Sequence, residues 1–179
     1  KDIVVFTSYL ALFENETAID IVRALGKAFP ERTVRLQVRS SLREKESSKR
    51  FIESSTAGLP NVIYTTDDMF DLIGVSGYAF SDPSTVIMES IQFGVKAFMI
   101  DVLPGHKKSL FRNYPQLFVS SPQEAVSRIR DVESGALSYT DELVGDLVAK
   151  PNRPVVEIIR QGMGLPPVPV AERLGERNN

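Results

Sequence analysis

Ser84, Thr85 and Glu89 are the residues whose types and spacing best suit chemistry in this chain. Two hydroxyls open a predicted helix just after Pro83, where unpaired backbone N–H groups also lie. Together these groups suit a phosphate. Glu89 falls one turn later, placed to accept hydrogen bonds from a sugar hydroxyl. Helix capping alone would also account for Ser84 and Thr85, because Ser and Thr cap helices widely. Glu89 would then be a solvated helix residue, although its apolar neighbours Val86, Ile87, Met88 and Ile91 favour a partner for the carboxylate.

These residues need elements to hold them. A strand-like run ending near Val75 precedes them, Gly94 closes the helix, and the apolar run Ala97–Asp101 follows, which makes one βαβ unit. Upstream, Ile3–Thr7 is a continuous apolar run suited to a buried parallel strand. Ile21, Val22, Leu25 and Phe29 recur at helical spacing within Thr17–Phe29, and Pro30 helps stop that helix. Thr33–Arg39 alternates as a second strand, and Ser40–Ser54 carries an amphipathic helix. Asn61–Thr65 is a third strand, Asp67–Leu72 a short helix or turn, and Leu72–Ser76 a fourth strand. Gln116–Val119 is the sixth, and Ser120–Glu124 opens a helix that runs to about Val132.

Strands alternating with helices predict an α/β, Rossmann-like domain with a mostly parallel six-stranded sheet and helices on both faces. That domain is expected over residues 1–134. Residues 135–179 are expected to form a C-terminal helical extension and tail, with a helix over 139–148, a strand or helix over 151–160, and a Pro- and Gly-rich tail from Gly162.

Ligands of such sheets bind beyond the carboxyl ends of the strands. The loops Arg39–Lys45, Tyr64–Asp68, Ser76–Thr85 and Asp101–Lys108 should therefore share one rim. Arg39 and Arg43 are candidates to neutralise a phosphate. With Lys45 and the interleaved Glu44 and Glu46, a solvated charged helix is the alternative. Tyr64 and Thr65 could hold a base through their backbone groups, and Ser76 and Gly77 join the nucleotide-binding candidates on the loop after the fourth strand. Asp101 ends a strand at the rim, whereas His106 reads as a solvent-facing loop residue. Asp67, Asp68 and Asp71 read as a helix start, without the second cluster a metal would need, so no metal is expected. No catalytic residue can be assigned.

Composition narrows the classes. The chain has 179 residues, 42% apolar and 25% charged, as in an ordinary globular protein with a proper core. A formal net charge of −2 and the lack of a basic stripe give no reason to expect a nucleic-acid partner. The chain has no cysteine and one histidine, which excludes disulfides and thiolate metal sites and argues against a Ser-His-Asp triad. No apolar run approaches the ~20 residues of a transmembrane helix. The start at Lys1-Asp2-Ile3 suggests a fragment of a longer parent.

Four stretches act as landmarks: Val38-Arg39-Ser40-Ser41-Leu42-Arg43-Glu44, Leu59-Pro60-Asn61-Val62-Ile63-Tyr64, Phe70-Asp71-Leu72-Ile73-Gly74-Val75, and the run from Pro83 through Ser84, Thr85 and Glu89 to Lys96. Over residues 3–132 their order resembles the C-terminal, donor-binding half of a GT-B glycosyltransferase. The nearest types are bacterial capsule and surface-polysaccharide enzymes similar to the Kdo- and CDP-glycerol-transferase families. The resemblance implies a nucleotide-activated sugar as donor substrate and no cofactor. It implies that Ser84 and Thr85 hold the donor phosphates, that Glu89 holds the ribose, and that Tyr64 and Thr65 lie near the base. It further implies an N-terminal acceptor-binding domain that supplies the catalytic base, so that this chain alone would turn over little or nothing. By analogy the location is cytoplasmic or peripheral at the inner face of the membrane. Ser40-Ser41-Leu42 departs from the family, where a Pro-His-Pro type segment is common.

A second resemblance is to UDP-N-acetylglucosamine 2-epimerases, which carry an Asp-Ser-Gly-Gly turn before a helix with paired Glu. Here Asp82-Pro83-Ser84-Thr85 lacks the glycine pair, and Met88 stands at one Glu position. A third reading is a non-catalytic Rossmann-like interaction module.

Overall fold

The computed structural model describes residues 1–102 and 114–139. His106 and its loop lie outside the described residues, as do the helix, strand and tail expected over 140–179.

Six strands form one sheet in the order β3-β2-β1-β4-β5-β6. They are β1 (Asp2–Thr7), β2 (Val34–Val38), β3 (Val62–Thr65), β4 (Ser76–Ser81), β5 (Lys96–Ile100) and β6 (Phe118–Val119). Every pairing is parallel, so the expected Rossmann-like α/β fold is observed. Side chains alternate across the central strand. Ile3 and Val5 face one apolar cluster, and Val4 and Phe6 face the other.

The first cluster is closed by α1 (Glu16–Ala28), α2 (Glu46–Thr56) and α5 (Pro122–Ser134), which contribute Ile21, Leu25, Phe51 and Ile129. The second lies under α3 (Met69–Val75) and α4 (Val86–Gln92), through Leu72, Ile73, Val86 and Ile87. Full burial of side chains such as Phe80 and Phe98 contributes about 1.5–3 kcal/mol each. Local chemistry fixes the helix starts. The Asn15 side chain accepts from the Ala18 N–H, that of Asp68 from Phe70, and that of Ser121 from Glu124.

The fourth strand departs from expectation. Leu72–Val75 is helix, and the strand is Ser76–Ser81. Asp68 caps α3, and Met69, Leu72 and Ile73 then face the core at helical spacing while Phe70 and Val75 are exposed. Ser76, buried at the start of β4, donates its hydroxyl to the Leu72 carbonyl and closes the helix.

The chain beyond Gly135, which ends α5 in the left-handed conformation, still packs on this core through Leu137 and Tyr139. The short β6 pairs only with Met99 and Ile100 of β5. The Tyr139 hydroxyl takes up the Ala97 N–H and C=O, both at 2.9 Å.

Candidate functional site

β1 and β4 are neighbours, yet the chain leaves them toward opposite faces: α1 follows β1 onto one side and α4 follows β4 onto the other. This is the topological switch point, where a crevice must open at the carboxyl ends of the strands. A cleft of about 290 Å³ lies there. Its walls are Phe6 and Thr7 of β1 with Ser8 just after it, Gln37 of β2 with Arg39 just after it, Ser81 from β4, Ser84, Thr85 and Val86 at the start of α4, and Met69. A second hollow of about 540 Å³, lined by Tyr9, Ala11, Glu14, Ser41 and Leu42, shares Ser8 and Arg39 with the first.

Hydrogen bonds tie the rim together. The Thr7 hydroxyl donates to the Gln37 carbonyl at 3.1 Å, and the Arg39 N–H donates to the Thr7 carbonyl at 2.9 Å. Asp82, fully buried, accepts from the Ser8 N–H at 2.7 Å and the Ser8 hydroxyl at 2.8 Å. The Ser81 hydroxyl donates to the same carboxylate at 3.3 Å.

The expected residues divide. Arg39, Ser84 and Thr85 line the cleft together. Thr85 already has helical dihedrals and its side chain makes no cap hydrogen bond. Arg39 is exposed and forms no ion pair among the described residues. Glu89, half-buried one turn along α4, does not line the cleft. Arg43 turns back onto β2, its Nε donating to the Val38 carbonyl at 3.1 Å. Tyr64 and Thr65 end β3 on the same rim, two strands from the switch, where the Thr65 hydroxyl accepts from the Asp67 N–H at 3.1 Å.

Ser76 and Gly77 need correction. With β4 starting at Ser76, both sit at the amino end of the strand, across the sheet from Ser84. A Cβ at Gly77 would stand 3.0 Å from the Lys1 side chain, which marks this as a packed lower edge.

Sequence reasoning missed Thr7, Ser8 and Asp82. Asp82 stood directly before the Pro83-Ser84-Thr85 turn, but its partner is 74 residues away. Among the described residues no three His, Cys, Asp or Glu cluster as metal ligands, and no helix is long and apolar enough to cross a membrane. The displaced titrations lie away from the cleft. Burial pushes Tyr139 up, burial and the Glu133 carboxylate push Tyr78 up, and the Ser120 N–H and hydroxyl hold Glu124 down.

No protein-family profile matches the sequence, and no curated protein matches it. The structure does resemble solved ones. UDP-GlcNAc 2-epimerase from Neisseria meningitidis bound to UDP-GlcNAc superposes with a TM-score of 0.55 at 13% identity, over 75% of this chain and 37% of that one. S. aureus MnaA with UDP gives 0.56 at 10%, over 93% and 46%. A putative UDP-N-acetylglucosamine 2-epimerase from Listeria monocytogenes gives 0.52 at 12%, over 91% and 45%. The likeness is one of fold. The chain spans under half the length of each of these proteins.

Proposed function

We propose that the switch-point cleft binds a nucleotide-activated sugar and that the chain is the donor-binding half of a two-domain enzyme. The observation that carries this reading is the convergence of Arg39, Ser84 and Thr85 on one cleft between β1 and β4. A guanidinium and two hydroxyls suit a diphosphate. With only seven residues, α4 adds little as a dipole, so these side chains carry the phosphate. The β3 end at Tyr64 and Thr65 would take the base, while Glu89, outside the cleft lining, is not assigned to the ribose. The second half, an N-terminal domain that binds the acceptor, would close over the sugar. By analogy the protein works in the cytoplasm or at the inner face of the membrane.

Two reactions fit this half. The landmarks of the chain favour transfer of the sugar to an acceptor, with Arg39 and the hydroxyls stabilising charge on the departing nucleotide. The fold shared with two 2-epimerases favours, at least as strongly, inversion at the sugar itself. The Asp82-Pro83-Ser84-Thr85 turn, without a glycine pair, speaks for the transferase.

A thermal-shift titration with CMP, CDP, UDP, GDP and ADP tests the reading. A rise with one nucleotide, lost in Ser84→Ala/Thr85→Ala, supports it and names the base. No response to any of them favours the non-catalytic module.

A further inference from the structure

The last β1–β4 ladder pair is Phe6 with Ser81. The next residue of β1 is Thr7, and the chain then turns away at Ser8. On the other strand it turns away at once, at Asp82. The strands therefore part at the cleft floor, where no backbone ladder holds them. One side chain bridges the gap. Both oxygens of the buried Asp82 carboxylate are used by Ser8, one by its N–H and one by its hydroxyl. The third donor is the buried hydroxyl of Ser81. No cation pairs with Asp82 among the described residues. A buried carboxylate is costly unless its hydrogen bonds are met, so the geometry of its donors is tightly held.

We infer that Asp82 is a positioning residue that fixes the first residue after β1 to the first residue after β4. It thereby sets the distance between the Ser8 wall and the Ser84–Thr85 wall of the cleft. Ser8 borders both hollows, so its placement governs how they join. Asp82 lies outside the cleft lining and acts through Ser8. The effect on ligand rests on the nucleotide-sugar reading above. The brace itself does not.

The test compares Asp82→Ala, Asp82→Asn and Ser8→Ala with the unaltered chain, at a temperature where all are folded. Two quantities are read: hydrogen exchange of the Ser8 amide, and affinity for UDP. In Asp82→Ala the Ser8 amide loses its acceptor. Its exchange should rise and UDP affinity should fall, each about tenfold, as for one buried hydrogen bond. The Ile3–Val5 amides should stay protected. Asp82→Asn keeps one acceptor oxygen for the Ser8 N–H and should restore affinity to within about threefold. Ser8→Ala keeps the N–H and should also lose about threefold. Unchanged Ser8 exchange in Asp82→Ala overturns the brace. Unchanged UDP affinity in that variant, with faster Ser8 exchange, overturns its role in the cleft. If the unaltered chain binds none of UDP, CMP, CDP, GDP and ADP measurably, the nucleotide reading is what fails, and the exchange data still decide the brace. If another of the five binds instead of UDP, affinity is read with that nucleotide. If Asp82→Ala does not fold, Ser8→Ala decides both points. Faster exchange of the residue 8 amide and about threefold weaker UDP binding in Ser8→Ala support the inference, and unaltered-chain values of both in Ser8→Ala overturn it.

Discussion

A Cβ placed on Gly26 would overlap Cγ2 of Val62, well inside carbon contact distance. The glycine lies in the interior of α1, where Ala would ordinarily be favoured by about 1 kcal/mol. It is there because α1 packs directly on β3, and Val62 is buried and stiff. Overpacking of a filled core costs about 1–3 kcal/mol. Gly26→Ala should therefore destabilise the chain by about 1 kcal/mol net in chemical denaturation, clash outweighing propensity. Adding Val62→Ala should remove the clash but open a cavity, so the effect of Gly26→Ala in that background should turn neutral or stabilising. Equal destabilisation in both backgrounds would show that the close approach is not the cause.

Tyr139→Phe keeps the ring edge-on to Phe98, with centroids 5.7 Å apart, but leaves the Ala97 N–H and C=O without the hydroxyl. The expected cost is about 1–3 kcal/mol by urea denaturation. A loss below about 0.5 kcal/mol would mean that water or another group serves Ala97 equally well.

Glu124 supplies a pH-dependent term. Its carboxylate accepts from the Ser120 N–H at 2.7 Å and the Ser120 hydroxyl at 2.9 Å, which holds its pKa below the ordinary 4.5. A lowered folded pKa means stability that is present above 4.5 and lost as the pH falls through the folded value. Glu124→Gln should thus lower Tm at neutral pH. The gap from the unaltered chain should close as the pH drops below 4.5. A gap independent of pH would assign the effect to something other than the charge.

Much of the fold was legible because local rules and tertiary contacts agree. The apolar run Ile3–Thr7 became β1, and the spacing of Ile21, Val22 and Leu25 became the buried face of α1. The failure at Leu72–Val75 is instructive. Four residues of mostly apolar sequence fit a strand or one turn of helix equally well. The true strand, Ser76–Ser81, is polar at both ends because its buried serines bond locally, Ser76 to Leu72 and Ser81 to Asp82. That one shift carried Ser76 and Gly77 to the wrong end of the sheet. For the candidate site, the rim rule placed Arg39, Ser84 and Thr85 on one edge, and the three line one cleft. Nothing local revealed Asp82, whose role is a contact with Ser8 across the fold.

Arg39 and Arg43 are close in sequence but differ in setting. Arg39 borders both hollows, whereas Arg43 donates to the Val38 carbonyl. Arg39→Ala should weaken diphosphate nucleotides by about tenfold and leave Tm nearly unchanged. Arg43→Ala should do the reverse, lowering Tm with little effect on affinity. Calorimetric titration and thermal melts of both variants check this, and a reversed pattern would move the phosphate toward Arg43.

The most direct measurement is a nuclear magnetic resonance titration of the isotopically labelled chain with UDP and CDP, read residue by residue. Shifts gathered at Thr7, Ser8, Arg39, Ser84 and Thr85 are expected, with Ser76 and Gly77 at the far edge silent. Shifts centred on Ser76 and Gly77, or none at the switch-point cleft, would contradict a nucleotide site between β1 and β4.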